Sequence, residues 1–518
     1  MYKMFNFSSR FNKSDTKFMM IFGALLLFTY FPFVNTQSFS FDDYFLFFNK
    51  IEGERTVRFS IKSGRWFGIF MYSVINQLLG DGGFKGIIFT YFSVFVQFLF
   101  TGVVIVRVFK LDTSKTSIAL LISMGFIHLF NAEIMTFKFG LLVNAGFSFL
   151  YFFAFGGWYL LRNSAKKFTL GVLFIVLALA SYQVVVNQLI VLSLLLIVYE
   201  CLEFTLQHKK ISLSFFKQSN GLIKLLGIVT AVIVYVLVNK TVMVMLGTSA
   251  LSRSQLIQWT DIPERLKQVV VLYDSILFNK DSYLVPFATK ILTLLLIGLG
   301  VFTMVLNSIK ETKGYFNKGK AVLFCLIISV LMIISSNFIS LFIQEWWPTP
   351  RMFSGFGFMV MGFGLIVIKF SNSKIAKSIT FSIGLLLVFS HSNVTHNIAA
   401  EQSYRNFVDR NKAQLIMSRV IQIDSIESKK IYIHQSEDCW KDDTNIKNRL
   451  GDLNLSSFCT SWSKYHLLEY VSGIKLTKTT AEENTRLSEK VKNEAGLYQR
   501  WPHKSSIQRF EDFIIILP

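Results

Sequence analysis

Long apolar runs alternate with short polar segments between positions 18 and 394 of the chain. A helix needs about 20 mostly apolar residues to cross about 30 Å of hydrocarbon. Most of the runs reach this length, whereas the run at 116–131 is short. The eleven runs lie at 18–34, 84–106, 116–131, 139–161, 168–186, 188–206, 221–246, 284–306, 321–343, 352–369 and 378–394. The pattern predicts an all-α polytopic membrane bundle of about 11 transmembrane helices.

The composition also indicates a membrane protein. Of the 518 residues, 52% are hydrophobic and only 16% are charged, whereas about a quarter of the residues are charged in a typical soluble domain. The first apolar run is followed by aromatic and acidic residues rather than by the small residues of a signal cleavage site. We therefore expect this run to remain in the protein as a helix.

The distribution of basic residues predicts the orientation of the bundle. Cytoplasmic loops of membrane proteins are enriched in Lys and Arg, and alternate loops of this chain are basic when the N-terminus lies in the cytoplasm. These loops contain Arg107, Lys110, Lys115, Arg162, Lys166, Lys167, Lys209, Lys210, Lys217, Lys224, Lys310, Lys313, Lys318, Lys320, Lys369, Lys374 and Lys377. We expect a multi-pass membrane protein whose N-terminus lies in the cytoplasm. The net charge of +21 is then an orientation signal, and we expect no nucleic-acid partner.

The composition changes after the last apolar run. An odd number of spans places residues 395–518 in the periplasm. Glu401 to Gln422 has the pattern of an amphipathic helix, and Lys429 to Gln435 and Phe513 to Leu517 have that of short strands. This predicts a small C-terminal α/β periplasmic domain.

Two cysteines of this segment, Cys439 and Cys459, are candidates for a disulfide in an oxidising periplasm. Closing such a loop contributes roughly 3 kcal/mol in the chain-entropy model.

The first outer loop carries the most informative polar residues. Asp42 and Asp43 follow the first predicted helix directly and face the outer membrane surface. Farther along the loop, apolar residues recur with helical spacing from Phe67 to Leu78, a stretch too short to span. We expect an interfacial helix there, ended by the turn at Gly80 to Gly83.

Adjacent carboxylates at the outer membrane surface suit acid–base chemistry. One of Asp42 and Asp43 can act as a general base on a hydroxyl that attacks an electrophilic carbon. Its neighbour can position the base, hydrogen-bond a sugar, or raise the pKa of the base by repulsion. The alternative is an ordinary solvated turn or helix cap.

Cations and polar groups on the same predicted face suit a substrate that contains phosphate and sugar. Guanidinium groups match phosphate oxygens, so we predict phosphate contacts at Arg58, Arg65, Lys138 and Arg351. Sugar contacts are predicted at Glu133, Tyr182, Gln183 and Trp347. The alternatives are that these charges pair with each other, as Glu345 with Arg351, that they snorkel at helix ends, and that Trp347 belongs to an interfacial aromatic belt.

The order of four short motifs resembles one known family. The motifs are Asp42-Asp43, Gly64-Arg65-Trp66, Ser181-Tyr182-Gln183 and Pro350-Arg351. Together they resemble the bacterial and phage O-antigen serotype-converting glucosyltransferases, the glucosyltransferase II family of the GT-C superfamily. The resemblance covers roughly residues 18–394.

The resemblance implies a fold, a reaction and partners. Residues 1–394 would form a GT-C-like transmembrane catalytic domain, with its first periplasmic loop at 35–83, and residues 395–518 a separate domain. The donor would be undecaprenyl-phosphate-glucose, supplied by a donor synthase and a flippase. The acceptor would be a hydroxyl of the lipid-linked O-antigen of lipopolysaccharide. Transfer would invert the anomeric carbon, with Asp42 or Asp43 as the base.

Basic residues would replace the divalent metal of nucleotide-sugar enzymes, so we expect no cofactor and no metal site. Two other functions stay open. One is a GT-C transferase with a different acceptor, and the other is a transporter such as a lipid-linked sugar flippase. Transporters often show internal repeats and charges along a path. The clustering of charges on one face favours the transferase.

Overall fold

The structure is a computed structural model of the chain. It describes residues 13–35, 39–48, 54–79, 83–138, 147, 149–162, 164–208, 213–251, 255–279, 285–346, 349–423, 429–434, 454–494 and 496–518. The chain divides into two compact units. The first, called the helical unit, comprises Met1–Val34, Val57–Met135 and Leu141–His396. The second, called the mixed unit, comprises Asn35–Thr56, Thr136–Gly140 and Asn397–Pro518.

The helical unit is built from α-helices that follow the apolar runs. Its first helices are α1 (Lys13–Asn35), α3 (Glu54–Lys62), α4 (Trp66–Leu79), α5 (Gly83–Val108), α6 (Thr116–Ile127), α7 (Leu129–Thr136), α8 (Leu150–Leu160) and α9 (Ala165–Leu179). It continues with α10 (Val185–His208), α11 (Leu213–Gln218), α12 (Asn220–Met245), α13 (Ile262–Leu277), α14 (Phe287–Glu311), α15 (Tyr315–Ser335), α16 (Phe338–Phe342) and α17 (Ser354–Phe370). Helix α18 (Lys374–Ile423) begins in this unit and ends in the mixed unit.

Eight helical segments of the described chain are long and apolar enough to cross a membrane. All eleven predicted runs contain helix, but three of the helices are shorter than predicted. Helix α6 ends at Ile127, where the chain turns at His128, and α8 and α9 have 11 and 15 residues. With a rise of about 1.5 Å per residue, these helices are too short for a hydrocarbon core of about 30 Å. The count of eleven full spans is therefore not confirmed.

Helix α17 lies at the centre of the helical unit. It packs against α6, α10 and α14, and all of its side chains except Lys369 are buried. Close approach depends on Gly357, where an added Cβ would lie 2.8 Å from Cβ of His128 and 2.9 Å from the carbonyl oxygen of Gly125. Small residues allow such packing in membrane bundles, where dispersion contacts must replace the hydrophobic effect.

Helix ends that the sequence assigns to one membrane face lie together within this unit. Arg107 at the end of α5 pairs with Asp15 at the start of α1, at 3.1 Å. Lys369 at the end of α17 lies 3.6 Å from Glu203 in the last turns of α10. The assignment of these ends to the cytoplasm stays a prediction.

The mixed unit combines helices with a four-stranded sheet. Its elements are α2 (Phe41–Phe48), the end of α18, β1 (Lys430–Ile433), α19 (Lys464–Ser472), β2 (Thr477–Lys478), α20 (Ala481–Asn493), β3 (Ile507–Phe510) and β4 (Phe513–Ile516). The strand order is β2-β1-β4-β3, in which only β3 is antiparallel to its neighbour. Leu487, Val491, Phe513 and Ile515 form its core with Tyr432, Tyr498 and Leu517.

The sequence located the main elements of the mixed unit but not its full extent. The predicted strands correspond to β1 and β4, and the predicted amphipathic helix is the end of α18. Residues 35–56 and 136–140 also belong to this unit. Cys459 is disulfide-bonded, whereas Cys439 lies outside the described residues, so the pairing of these two stays a prediction.

Candidate functional site

Asp43 is held in the first turn of α2 by backbone donors. The N–H groups of Ser40 and Lys138 donate to its Oδ2 at 2.7 and 3.1 Å, and the side chain is fully buried. The N–H of Asp43 in turn donates to the carbonyl oxygen of Ser40 at 3.1 Å. A carboxylate at a helix N-terminus satisfies donors that have no partner inside the helix. Asp43 therefore fixes the start of α2 and the segment around Lys138.

Asp42, one residue earlier, has a different environment. Its carboxylate is partly exposed, and its Oδ1 accepts a hydrogen bond of 2.7 Å from the indole Nε1 of Trp462. Trp462 is itself 43% exposed. Asp42 is therefore the member of the doublet that a solute can reach.

An aromatic cluster of the mixed unit anchors α2. Tyr44 is fully buried; its hydroxyl donates to Oδ1 of Asn406 at 2.8 Å and accepts from Nε of Arg410 at 2.9 Å. The Arg410 guanidinium also lies over the rings of Phe39 and Tyr470, 5.2 and 5.1 Å from their centroids. Residues of α18 and α19 thus hold the helix that carries the doublet.

Lys138 is a cation of the mixed unit that lies beside the doublet. Its backbone bonds Asp43, and its side chain is buried. Burial lowers the pKa of Lys138 from 10.5 to about 8, and the nearby Asp43 carboxylate opposes this shift. The ammonium group therefore loses its charge close to physiological pH.

In the helical unit, the turn before α4 brings two of the sequence motifs together. Nε2 of Gln183 donates to the carbonyl oxygen of Ser63 at 2.8 Å and to the Tyr235 hydroxyl at 2.7 Å. The Tyr235 hydroxyl donates to the carbonyl oxygen of Gly64 at 3.1 Å. Gly64 has a φ of +76°, which a residue with a Cβ rarely adopts. This network fixes the direction in which Arg65 leaves the turn.

Arg65 itself lies against the second motif. Its guanidinium carbon is 4.9 Å from the centroid of the Tyr182 ring, a cation–π distance. The ring of Tyr182 also contacts Phe147, with centroids 4.9 Å apart. The predicted residues Arg65, Tyr182 and Gln183 therefore form one cluster.

Arg351 forms a buried ion pair in the same unit. The N–H of Arg351 donates to Oε2 of Glu133 at 2.7 Å, and its guanidinium Nη1 donates to Oε1. The Glu133 side chain is 0% exposed and that of Arg351 is 15% exposed. Arg351 thus pairs with Glu133, and the pairing with Glu345 that the sequence suggested as an alternative stays a prediction.

One segment, residues 180–188, supports both arginines of the helical unit. Toward Arg65, the carbonyl oxygen of Ala180 accepts from the N–H of Phe67 at 3.1 Å. Toward Arg351, Nδ2 of Asn187 donates to the carbonyl oxygen of Met352 at 2.8 Å. The carbonyl oxygen of Ala180 and the side chain of Asn187 therefore help to hold the turns that carry Arg65 and Arg351.

Two predicted residues are not assigned to these clusters. Arg58 is exposed on α3, and its predicted phosphate contact stays a prediction. Trp347 lies outside the described residues.

Sequence reasoning missed Trp462, Arg410 and Tyr235, because an isolated Trp, Arg or Tyr has no motif around it. It also missed Arg265, which donates to the carbonyl oxygens of Ser340, Ile343 and Gln344 at 2.6, 2.7 and 3.0 Å and so orders the segment before Arg351.

Within the described ranges, no three His, Cys, Asp or Glu side chains come close enough together to hold a metal ion. Metal independence of the reaction stays a prediction.

Comparison with known proteins identifies a family. A family model described as "Glucosyl transferase GtrII" matches residues 31–369, which include the Asp42-Asp43 doublet, the Gly64–Arg65 turn, the 180–188 segment and Arg351. No curated protein matches the chain, and no solved structure does.

Proposed function

Because the chain belongs to the glucosyl transferase GtrII family, we propose that it glucosylates O-antigen at the periplasmic face of the bacterial inner membrane. The donor is undecaprenyl-phosphate-glucose, made by a synthase and moved across the membrane by a flippase. The acceptor is a sugar hydroxyl of the lipid-linked O-antigen, so the consequence is serotype conversion of lipopolysaccharide. The reaction needs neither a cofactor nor a metal.

The reaction is a direct displacement at the anomeric carbon. A carboxylate of the protein takes the proton of the acceptor hydroxyl as its oxygen forms a bond to C1 of glucose. The bond between C1 and the phosphate oxygen breaks, and undecaprenyl phosphate leaves with the electron pair. One displacement inverts the configuration at C1.

We assign the base to Asp42, and the asymmetry of the doublet carries this assignment. The Asp42 carboxylate is accessible, and the Trp462 indole holds it through Oδ1. Asp43 is fully buried with two backbone donors on one oxygen, so a proton transfer there would cost the hydrogen bonds that hold α2. Asp43 is then the residue that positions the base.

The leaving phosphate is assigned to cationic side chains. Arg65 and Arg351 are held by fixed turns, and a preorganised cation stabilises developing charge without reorganisation. Lys138 adds a cation whose charge depends on pH. Glu133 and Gln183 act through the arginine-bearing turns, and Tyr182 acts through its ring contact with Arg65.

The experiment replaces Asp42 with Asn and measures transfer of labelled glucose from undecaprenyl-phosphate-glucose to O-antigen in membranes. Loss of a general base costs about a hundredfold to ten-thousandfold in rate. The matched control is Asp112→Asn, because Asp112 is an exposed loop aspartate that pairs with Lys115 and has no assigned role.

Transfer by the Asp42→Asn variant, compared with transfer by the Asp112→Asn control, decides the assignment. Loss of transfer in Asp42→Asn, with normal membrane insertion and full activity of the Asp112 control, supports the assignment. Full transfer by the Asp42 variant refutes it. A chain that moves lipid-linked glucose across the bilayer without adding hexose to O-antigen is the flippase of the alternative reading.

A further inference from the structure

A cleft with both polar and apolar lining opens at the carboxyl end of β1 in the mixed unit. Its volume is about 520 Å³, and its walls include His434, Ser461, Lys464, Tyr465, Ser488 and Lys492. This volume lies within the range of about 300–1,000 Å³ typical of ligand sites. Crevices at the carboxyl ends of parallel strands are common ligand sites in α/β domains, and β1 is parallel to both of its neighbours.

The cleft begins one residue from the tryptophan that contacts the assigned base. Ser461 lines it, and the next residue, Trp462, donates to Asp42. Consecutive Cα atoms are only about 3.8 Å apart. Trp462, which is 43% exposed, therefore connects the wall of the cleft to Asp42.

Several contacts fix the segment 456–464, which contains Ser461 and Trp462. The carboxylate of Asp409 accepts from the Ser456 hydroxyl and from the N–H of Ser457, both at 2.8 Å. Cys459 is disulfide-bonded, and the ammonium group of buried Lys464 donates to the carbonyl oxygen of Ile433. A preformed wall of this kind reduces the entropy lost on binding.

The side chains that line the cleft favour one class of ligand. Hydroxyl and amide groups of the wall both donate and accept hydrogen bonds and its ammonium groups donate them, which suits a ligand with many hydroxyl groups. Glu489 also lines the cleft, and its carboxylate can accept hydrogen bonds from hydroxyl groups. Partly apolar surface comes from Tyr465 and, at the entrance, from the indole of Trp462.

We propose that this cleft is an extended acceptor subsite, in which the mixed unit binds the sugar units of the glycan chain that lie beyond the hydroxyl being glucosylated. The inference rests on the proposed function, because that function supplies the acceptor. It assigns the unit a direct role in selecting long acceptors over short ones.

The test compares two acceptors with purified full-length protein. One probe is the O-polysaccharide released from otherwise identical cells that lack the protein, so that its acceptor hydroxyl is free, and the other is its single repeat unit. Ser488→Trp fills the cleft, so the KM and the calorimetric Kd for the polysaccharide rise about tenfold or more. The KM for the single repeat unit and for the donor stay unchanged.

Two further variants make the result specific. Asn493→Trp places the same bulky side chain on an exposed position of α20 outside the cleft and leaves both constants unchanged. Lys492→Ala shortens an exposed side chain of the cleft. It weakens polysaccharide binding about threefold, as the loss of one hydrogen bond implies.

Failure of the inference and failure of the proposed function give different results. If the native protein transfers glucose, and folded Ser488→Trp and Lys492→Ala proteins keep native polysaccharide constants, the subsite is refuted. If the native protein transfers no glucose but binds polysaccharide, and Ser488→Trp loses that binding, the subsite stands and the proposed function fails.

Discussion

Glu133 and Arg351, 218 positions apart in the chain, form an ion pair in which the carboxylate is fully buried. Removing one member of such a pair leaves an uncompensated buried charge and typically costs about 3–5 kcal/mol, whereas replacing both members with apolar residues is often neutral. Variants of this pair can therefore separate the contribution of Arg351 to stability from its contribution to glucose transfer.

We expect Glu133→Gln to lower the free energy of unfolding by about 3 kcal/mol or more. The double variant Glu133→Leu, Arg351→Met recovers most of this stability but not transfer, because the cation assigned to the phosphate is missing. Thermal unfolding and the transfer assay measure the two effects. Recovery of native transfer by the double variant would show that Arg351 serves only to balance Glu133.

Gly64 is expected to tolerate no side chain. A Cβ there would lie 2.1 Å from the Tyr235 hydroxyl and 2.9 Å from Nε2 of Gln183, so Gly64→Ala displaces the turn that carries Arg65 and reduces donor binding. The measurement is the KM for the donor, together with the unfolding temperature.

The control for this change is Gly247→Ala. Gly247 also has a positive φ, +57°, but an added Cβ meets nothing within 4 Å, so the variant shows only the backbone cost, about 1–2 kcal/mol. Adding Tyr235→Phe to Gly64→Ala removes the clashing hydroxyl and partly restores the KM. Equal behaviour of the two alanine variants would exclude the contact with Tyr235 as the cause.

Asp43 is expected to matter for stability more than for proton transfer. Asp43→Ala leaves the buried N–H groups of Ser40 and Lys138 without their acceptor and costs about 2 kcal/mol or more. Asp43→Asn keeps an acceptor oxygen, so it retains most of the stability and measurable transfer. An Asp43→Asn protein of native stability without any transfer would move the base from Asp42 to Asp43.

Tyr44 tests how the rest of the mixed unit holds the doublet. Tyr44→Phe removes the hydroxyl that joins Asn406 and Arg410, which costs about 1–3 kcal/mol, and it loosens α2 so that transfer falls. Tyr315, which is 95% exposed, supplies the control, because Tyr315→Phe should alter neither quantity. Unchanged transfer and unfolding temperature in Tyr44→Phe would contradict the anchoring role.

The low pKa of Lys138 predicts opposite pH dependences for binding and stability. The group is charged below a pH of about 8 and neutral above it, so the KM for the donor rises as the pH increases through 8. Between about 8 and 10.5 the unfolded chain binds more protons at this residue than the folded protein, so the contribution of Lys138 to stability increases with pH.

The measurements are donor KM and urea unfolding from pH 7 to pH 10. Lys138→Arg keeps its charge across this range and flattens the rise in KM. A rise of the same size in the Arg variant would assign it to another group.

The hydrophobic pattern determined most of the helical architecture, because helix formation in an apolar run depends on residues a few positions apart. It overestimated the lengths of α6, α8 and α9, because a run of apolar residues does not show where a helix ends. Helix α6, for example, ends before His128. Short-range patterns of apolar residues likewise identified strands β1 and β4.

For the candidate site, the sequence singled out the doublet, the Gly64–Arg65 turn, Tyr182-Gln183 and Arg351, and their roles stay predictions. It could not distinguish Asp42 from Asp43, which have the same side chain and adjacent positions. The tertiary structure buries Asp43 and leaves Asp42 partly exposed, and it supplies a hydrogen-bond donor to Asp42 from Trp462, 420 positions away. It likewise supplies Glu133, 218 positions away in the chain, as a partner of Arg351. Burial and hydrogen-bond partners depend on which distant segments pack together, and no local pattern of residue types records that.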